Sequence, residues 1–406
     1  MLSAVAKLNT AAAVRERCGM VRDWVADGRS SHFALDETRL AAIAAYVADV
    51  TRESYPGLNI PDHSRWRHFA AGGVDRWNML AGRIHEDALE LARIAADLAT
   101  VSVLLDAGAG DRWRYRERAS GLSFARSEGL AVASFDMFCA GAFSSDPYRP
   151  WRVDAAALAR IDAATLARHF QVDAENPLVG LEQRGALLRR LGKALVEHAD
   201  LFGPAPARPG NLIDYFLATA SERRVSGARV LTALLDGLSS IWPSALMVEG
   251  RPIGDAGRHP AVRTGDDTDG IVPFHKLSQW LAYSLFAPLE AAELTIERPG
   301  ELTALAEYRN GGLLIDLGVI RPRAAIDPLL PHEVASELII EWRALTIALM
   351  DPLVDLVRAR LELDASFAMP QLLQGGTWSA GRKIARALRP PDGPPPIAVA
   401  ADGTVF

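Results

Sequence analysis

Helical periodicity constrains this chain more than any other feature. Segment 36-DETRLAAIAAYVADVTRE-53 sets apolar residues three and four apart behind an acidic start, the pattern of a capped amphipathic helix. Segments 84–105, 178–197, 211–221 and 227–238 repeat it. The longest periodic run extends from His332 to Leu363, with a kink or break expected at Pro352. Strand-like runs are few and short: Val101–Leu105, Ser244–Val248, Leu313–Ile320 and Ile397–Phe406, the last with an Asp402-Gly403 turn signal. The alternation of strands and helices that a doubly wound sheet requires is not visible. The expected fold is mainly α, with a few short β-strands.

The 406 residues suffice for two domains or for one large domain. The Pro/Gly-rich stretch 203-GPAPARPG-210 divides an N-terminal lobe, 1–202, from a second lobe, 211–406; the same stretch reads equally as a surface loop of one continuous domain. A second stretch of this kind is 389-RPPDGPPP-396. A formal charge of −6 excludes the basic footprint of a nucleic-acid binder. Cys18 and Cys139 cannot build a disulfide framework and fit a reducing compartment. The first twenty residues lack the apolar core of a secretory signal, and no apolar run approaches membrane-spanning length. A cytoplasmic protein is expected.

Three patterns invite a chemical reading and a plainer one. The run 101-VSVLLDAGAGDRWRY-115 resembles the cofactor turn of S-adenosylmethionine-dependent methyltransferases. Without repeated βα units, a helix ending near Asp106 with glycines behind it is favoured, and Asp106 and Trp113 are kept as pocket residues. The segment 61-PDHSRWRHFAAGGVDRWNML-80 mixes arginine, histidine and tryptophan densely enough for anion recognition. A clamp of arginines on helix-end carbonyls, with tryptophans in the core, is slightly preferred. His63 and His68 stand five apart, and neither HExxH nor CxxC occurs, so no metal and no cofactor are expected.

Acid–base candidates gather between 249 and 318: 254-GDAGRHP-260, with Asp255 and His259; the loop 265-GDDTDG-270; 272-VPFHKLSQWL-281; and 307-EYRNGGLLIDLG-318. Asp266 and Asp267 are expected to be merely solvated. Only four of the 44 basic residues are lysine, and one of them, Lys276, follows His275 at the start of an apolar helix. Tyr308 and Trp280 offer flat surfaces for a planar ligand.

The strings 64-SRWRHF-69, 72-GGVDRW-77, 104-LLDAGAGDRWRY-115, 127-SEGLAVASFDMF-138, 272-VPFHKLSQWL-281, 307-EYRNGGLLIDLGV-319 and 375-GGTWSAGRKIA-385 together resemble the uracil-regulated, uracil-catabolism family, long classed as a domain of unknown function. The resemblance covers about residues 10–406. It implies association with a route in which the ribosylated pyrimidine ring is opened and passes through ribosylurea-type intermediates before urea is released. A weaker resemblance links 106-DAGAGDRW-113, 243-PSALMVEG-250, 273-PFHKLSQ-279 and Glu307, Arg309 and Asn310 to queuosine salvage enzymes. Those are helical glycosidases that cleave a nucleoside 5′-phosphate. Where they carry an aspartate at a helix start, this chain has Phe274, so a carboxylate must come from Asp255, Asp269 or Glu307.

The resemblance thus implies a helical glycosidase-like enzyme acting on ribosylurea or a related ring-opened uridine 5′-phosphate. Glu307 and Asp255 would stabilise the oxocarbenium-like charge and activate water, and His275 would protonate the leaving nitrogen. Lys276 and Arg309 would hold phosphate or a ribose hydroxyl. Asn310, Tyr308, Trp280, Gln279, Asp106, Trp113, His259 and Asp316 would complete the lining. The competing expectation is a non-catalytic or regulatory partner of the ring-opening enzyme. A phosphoribosyltransferase is disfavoured, because no acidic pair followed by a Thr/Ser/Gly-rich loop is found. The expected partner is a nucleoside- or nucleotide-like small molecule, with neither nucleic acid nor membrane.

Overall fold

The computed structural model describes residues 3–243 and 246–400. The chain is mainly α, and every sheet among the described residues is a pair of short strands. The expected helices are present as Leu40–Ser54, Ala88–Leu104, Leu181–Glu197, Leu212–Thr219 and Gly227–Leu238. Their starts follow local chemistry. Asp87 accepts the Glu90 N–H at 2.7 Å, and Ser226 accepts that of Arg229 at 3.2 Å. Asp36 instead precedes a 3-10 turn, Glu37–Arg39, and takes the Thr38 hydroxyl.

Two of the expected strands are helical. Val101–Leu104 is the last turn of Ala88–Leu104, buried on all sides by its neighbours, which gives an apolar run without amphipathic period. Leu313–Asp316 closes the helix Tyr308–Asp316, and the strand begins only at Ile320. Of the other two, Met247–Val248 and Val399–Ala400 are strands, whereas Ser244, Ala245 and the Asp402-Gly403 turn lie outside the described residues. The long helix runs Glu337–Leu361 without a break at Pro352, and His332–Glu333 before it pairs with Val399–Ala400.

The described residues pack as two compact units. One comprises 3–63, 246–279 and 299–400; the other comprises 64–243 and 280–298. Residues 203–210 lie inside the second. In the first unit Glu337–Leu361 packs against Ala11–Ala26 and Leu40–Ser54, and Tyr308–Asp316 packs against Trp378–Leu388. Its core joins Val14, Cys18 and Val21 to Val272, Phe274, Ile340, Ala344 and Ile347. Each valine, isoleucine or phenylalanine in it contributes about 1.5–3 kcal/mol by leaving water. In the second unit Ala88–Leu104 packs against Arg126–Cys139, and Leu181–Glu197 against Gly227–Leu238. No helix among the described residues is long and apolar enough to cross a membrane. Cys18 and Cys139 are unbridged.

Candidate functional site

The first unit holds a charged cluster around the start of the helix Lys276–Ala291. Asp255 follows a short strand pair and turns its carboxylate to the helix start, where Oδ2 accepts the Lys276 N–H at 2.9 Å. Its backbone carbonyl accepts the N–H groups of Phe274 and His275. Arg343, on the long helix, grips the carboxylate at two points, 2.8 and 2.7 Å, and its guanidinium carbon stands 4.0 Å from the centre of the Phe274 ring. Burial opposes the charge on Asp255, yet Arg343 and the helix N–H hold the carboxyl below its ordinary value. Phe274, standing where the resemblance expects a carboxylate, is thus the seat for the cation that ionises Asp255.

His275 adopts a left-handed backbone conformation, φ +50°, which aims its ring inward. The ring is buried, burial lowers its pKa, and Nε2 donates to the Leu8 carbonyl at 3.1 Å. The proton expected for a leaving group is therefore committed to the backbone. Lys276 is buried as well, only 8% exposed, whereas Lys7, Lys193 and Lys383 form exposed ion pairs with Asp266, Glu197 and Glu53.

Glu307 caps the helix Tyr308–Asp316, accepting the N–H groups of Arg309 at 2.7 Å and Asn310 at 2.6 Å. Burial raises its pKa, and those two N–H groups with the Lys276 and Arg309 cations hold the rise in check. Lys276 thus acts on both carboxylates. Asn310 is buried, and its side-chain oxygen has no hydrogen-bond partner. Arg309 donates to the Gly393 carbonyl at 2.8 Å and stands 4.9 Å from the centre of the Tyr308 ring. The glycine pair after Asn310 is a packing requirement: a Cβ on Gly311 would collide with Trp342 and Thr346, and one on Gly312 would crowd Pro396.

Other expected residues are placed elsewhere or otherwise engaged. Gln279 exchanges hydrogen bonds with Thr303 and donates to the Phe274 carbonyl. Asp316 is held at two points by Arg389. Asp269 accepts the Thr264 N–H in its exposed loop, and Asp266 takes Lys7. Asp106, Trp113 and Trp280 belong to the second unit. Trp113 is core, with Nε1 donating to the Phe170 carbonyl. The helix Ala88–Leu104, not a strand, leads into 106-DAGAG-110, which removes the methyltransferase turn. In the 61–80 segment Arg76 clamps the carbonyls of Phe69, Ala71 and Val74 and pairs with Glu117, the clamp that the sequence favoured.

His259, Glu337 and Glu341 bring one ligand atom each within 4.8 Å of one another. The His259 ring, however, accepts the Ala261 N–H at Nδ1, so its proton sits on Nε2 and is given to Glu341 Oε1 at 3.0 Å. Ser30 donates to the other oxygen. A ligating histidine needs an acceptor behind its second nitrogen, and here it finds a donor.

Sequence reasoning missed Arg343 and Glu341. The available signal was two charged residues inside the apolar run 339-IIEWRALTIAL-349, which such a helix carries only when they are paired.

Glu307, half-buried at a helix start, with its pKa raised and the Lys276 cation acting on it, is a candidate acid–base group. The chain matches, over residues 7–406, the model of a protein family described as of unknown function, DUF1688, and it belongs to that family. It is 37% identical to "Protein urg3" of Schizosaccharomyces pombe over 99% of both chains. It is also 37% identical to "Uracil catabolism protein 4" of Lachancea kluyveri, again over 99% of each. A more distant relative, "Queuosine 5'-phosphate N-glycosylase/hydrolase" of Sphaerobacter thermophilus, is 26% identical over 57% of this chain and 61% of its own.

Proposed function

We propose that this chain is an enzyme of uracil catabolism that hydrolyses the N-glycosidic bond of N-ribosylurea 5′-phosphate or a closely related ring-opened uridine derivative. The names of the two full-length relatives support the pathway. The name of the distant relative supports the bond type. The observation that carries the chemistry is Glu307, a carboxylate whose pKa burial raises, fixed by two backbone N–H groups and acted on by Lys276.

In this reading water attacks C1′ as the C1′–N bond breaks and its electron pair leaves with the ureido nitrogen. Positive charge builds on the ribose in the transition state, and the Glu307 carboxylate stabilises it. Glu307 takes the proton of the water and passes it to the departing nitrogen, so the products are urea and ribose 5-phosphate. Lys276 lowers the Glu307 pKa against the effect of burial, and the unpartnered Asn310 oxygen accepts a ribose hydroxyl. Asp255 and Arg343 act behind these groups, setting the helix start that carries Lys276. The test is to supply synthetic N-ribosylurea 5′-phosphate to the pure, folded protein and measure urea. Enzyme-dependent release is expected, and none would overturn the reading.

A further inference from the structure

The second unit contains a buried arginine whose hydrogen bonding is incomplete. Arg65 is fully buried, and its Nε donates to Ser102 Oγ at 2.8 Å. Nη1 meets Asp106 Oδ1 at 2.9 Å and the Ser127 carbonyl at 3.2 Å. The other terminal nitrogen, Nη2, has no hydrogen-bond partner. Buried donors are almost always satisfied, so an unused pair of N–H groups calls for an acceptor from outside the chain. Ser127 hydrogen-bonds the same Asp106 oxygen, and Ser102 leans on Ser134, so the guanidinium is fixed from behind. Beside it stands the His68 ring, with Nδ1 at 3.5 Å from Nη1, and the Trp280 ring lies 5.8 Å from that of His68. His68 and Ser127 are half-buried.

We infer that Arg65, with His68, Asp106, Ser127 and Trp280, forms a recognition subsite for an uncharged planar carbonyl group of the ureido class. The local charge selects against an anion. Asp106 already balances Arg65, and Glu128 also acts on it, so a phosphate would meet two carboxylates. A carbonyl oxygen takes the Nη2 N–H without adding charge, and the two aromatic rings suit a flat neutral group. The choice of ureido among flat carbonyl groups rests on the proposed substrate.

The test is calorimetric titration of the full chain carrying Glu307→Gln, so that turnover does not interfere, with N-ribosylurea and with methyl riboside, which lacks the carbonyl. The subsite requires N-ribosylurea to bind at least about tenfold more tightly, and Arg65→Lys to remove that advantage while the circular dichroism stays native. Equal affinities for the two probes, or an unchanged advantage in folded Arg65→Lys, would overturn it. If Arg65→Lys does not fold, a crystal of the same Glu307→Gln chain soaked with N-ribosylurea decides. The carbonyl oxygen within about 3.5 Å of Nη2 supports the subsite, and a ligand elsewhere or only water on Nη2 overturns it. Urea release without the Arg65-dependent advantage would sink the subsite and leave hydrolysis standing; the advantage without urea release would do the reverse.

Discussion

Arg343 and Asp255 form a two-point buried ion pair, Nη1 to Oδ1 at 2.8 Å and Nη2 to Oδ2 at 2.7 Å, across 88 residues of sequence. The same carboxylate accepts the Lys276 N–H, so one pair neutralises two buried charges and fixes a helix start. Arg343→Met leaves Asp255 buried and uncompensated. A loss of about 3–5 kcal/mol is expected in urea denaturation, and a change within error would show that the pair contributes nothing to the fold.

Acid should weaken the protein in two windows. Burial depresses the pKa of His275 below its ordinary 6.5, so the unfolded chain takes up a proton that the folded chain resists. Its contribution to stability is present above 6.5 and declines as pH falls through the folded value. Asp255, held below 3.8, loses its contribution only at lower pH. Denaturation midpoints of wild type and His275→Asn, measured from pH 7.5 down to pH 5, should differ in slope, the variant being flatter. Parallel curves would contradict the assignment. Asparagine is chosen because it tolerates φ +50° better than most residues.

Lys276→Met removes a cation that lowers the Glu307 pKa. The carboxyl should then protonate more readily, and the acidic limb of kcat/KM should move to higher pH. An unmoved limb would mean that Glu307 is not the group titrating there.

Two glycines separate close packing from propensity. Gly381 lies against the backbone of Arg309, where a Cβ would collide with the carbonyl oxygen. Gly381→Ala should cost about 1–3 kcal/mol and lower turnover, because the carbonyl moves only with the helix turn that Glu307 caps. Gly19, also helical, has open space within 4 Å of the point where an alanine methyl would stand, and should gain roughly 0.5–1 kcal/mol on substitution by alanine. Thermal melts of both variants check the contrast.

Periodicity made the helices legible because most bury one stripe, as Gly227–Leu238 does with Val230, Leu231, Leu234, Leu235 and Leu238. It failed at Val101–Leu104, where a helix buried on all sides carries no polar face, and at Leu313–Asp316, where a short apolar run that reads as a strand is the last turn of a helix whose glycines are close-packing residues. The start of the helix at Lys276 and the cluster 307-EYRN-310 were legible as chemistry. Their wiring was not. Arg343 reaches Asp255, and Leu8 reaches His275, over separations that local pattern does not encode. The unpartnered nitrogen of Arg65 is likewise a property of packing alone.

The most direct measurement compares urea release from N-ribosylurea 5′-phosphate by wild type and Glu307→Gln. Glutamine retains an oxygen for the helix cap, so the variant should fold with a loss of about 1 kcal/mol. Turnover should fall by about 10²–10⁴-fold with the loss of acid–base catalysis. A folded Glu307→Gln that releases urea at the wild-type rate would contradict the account.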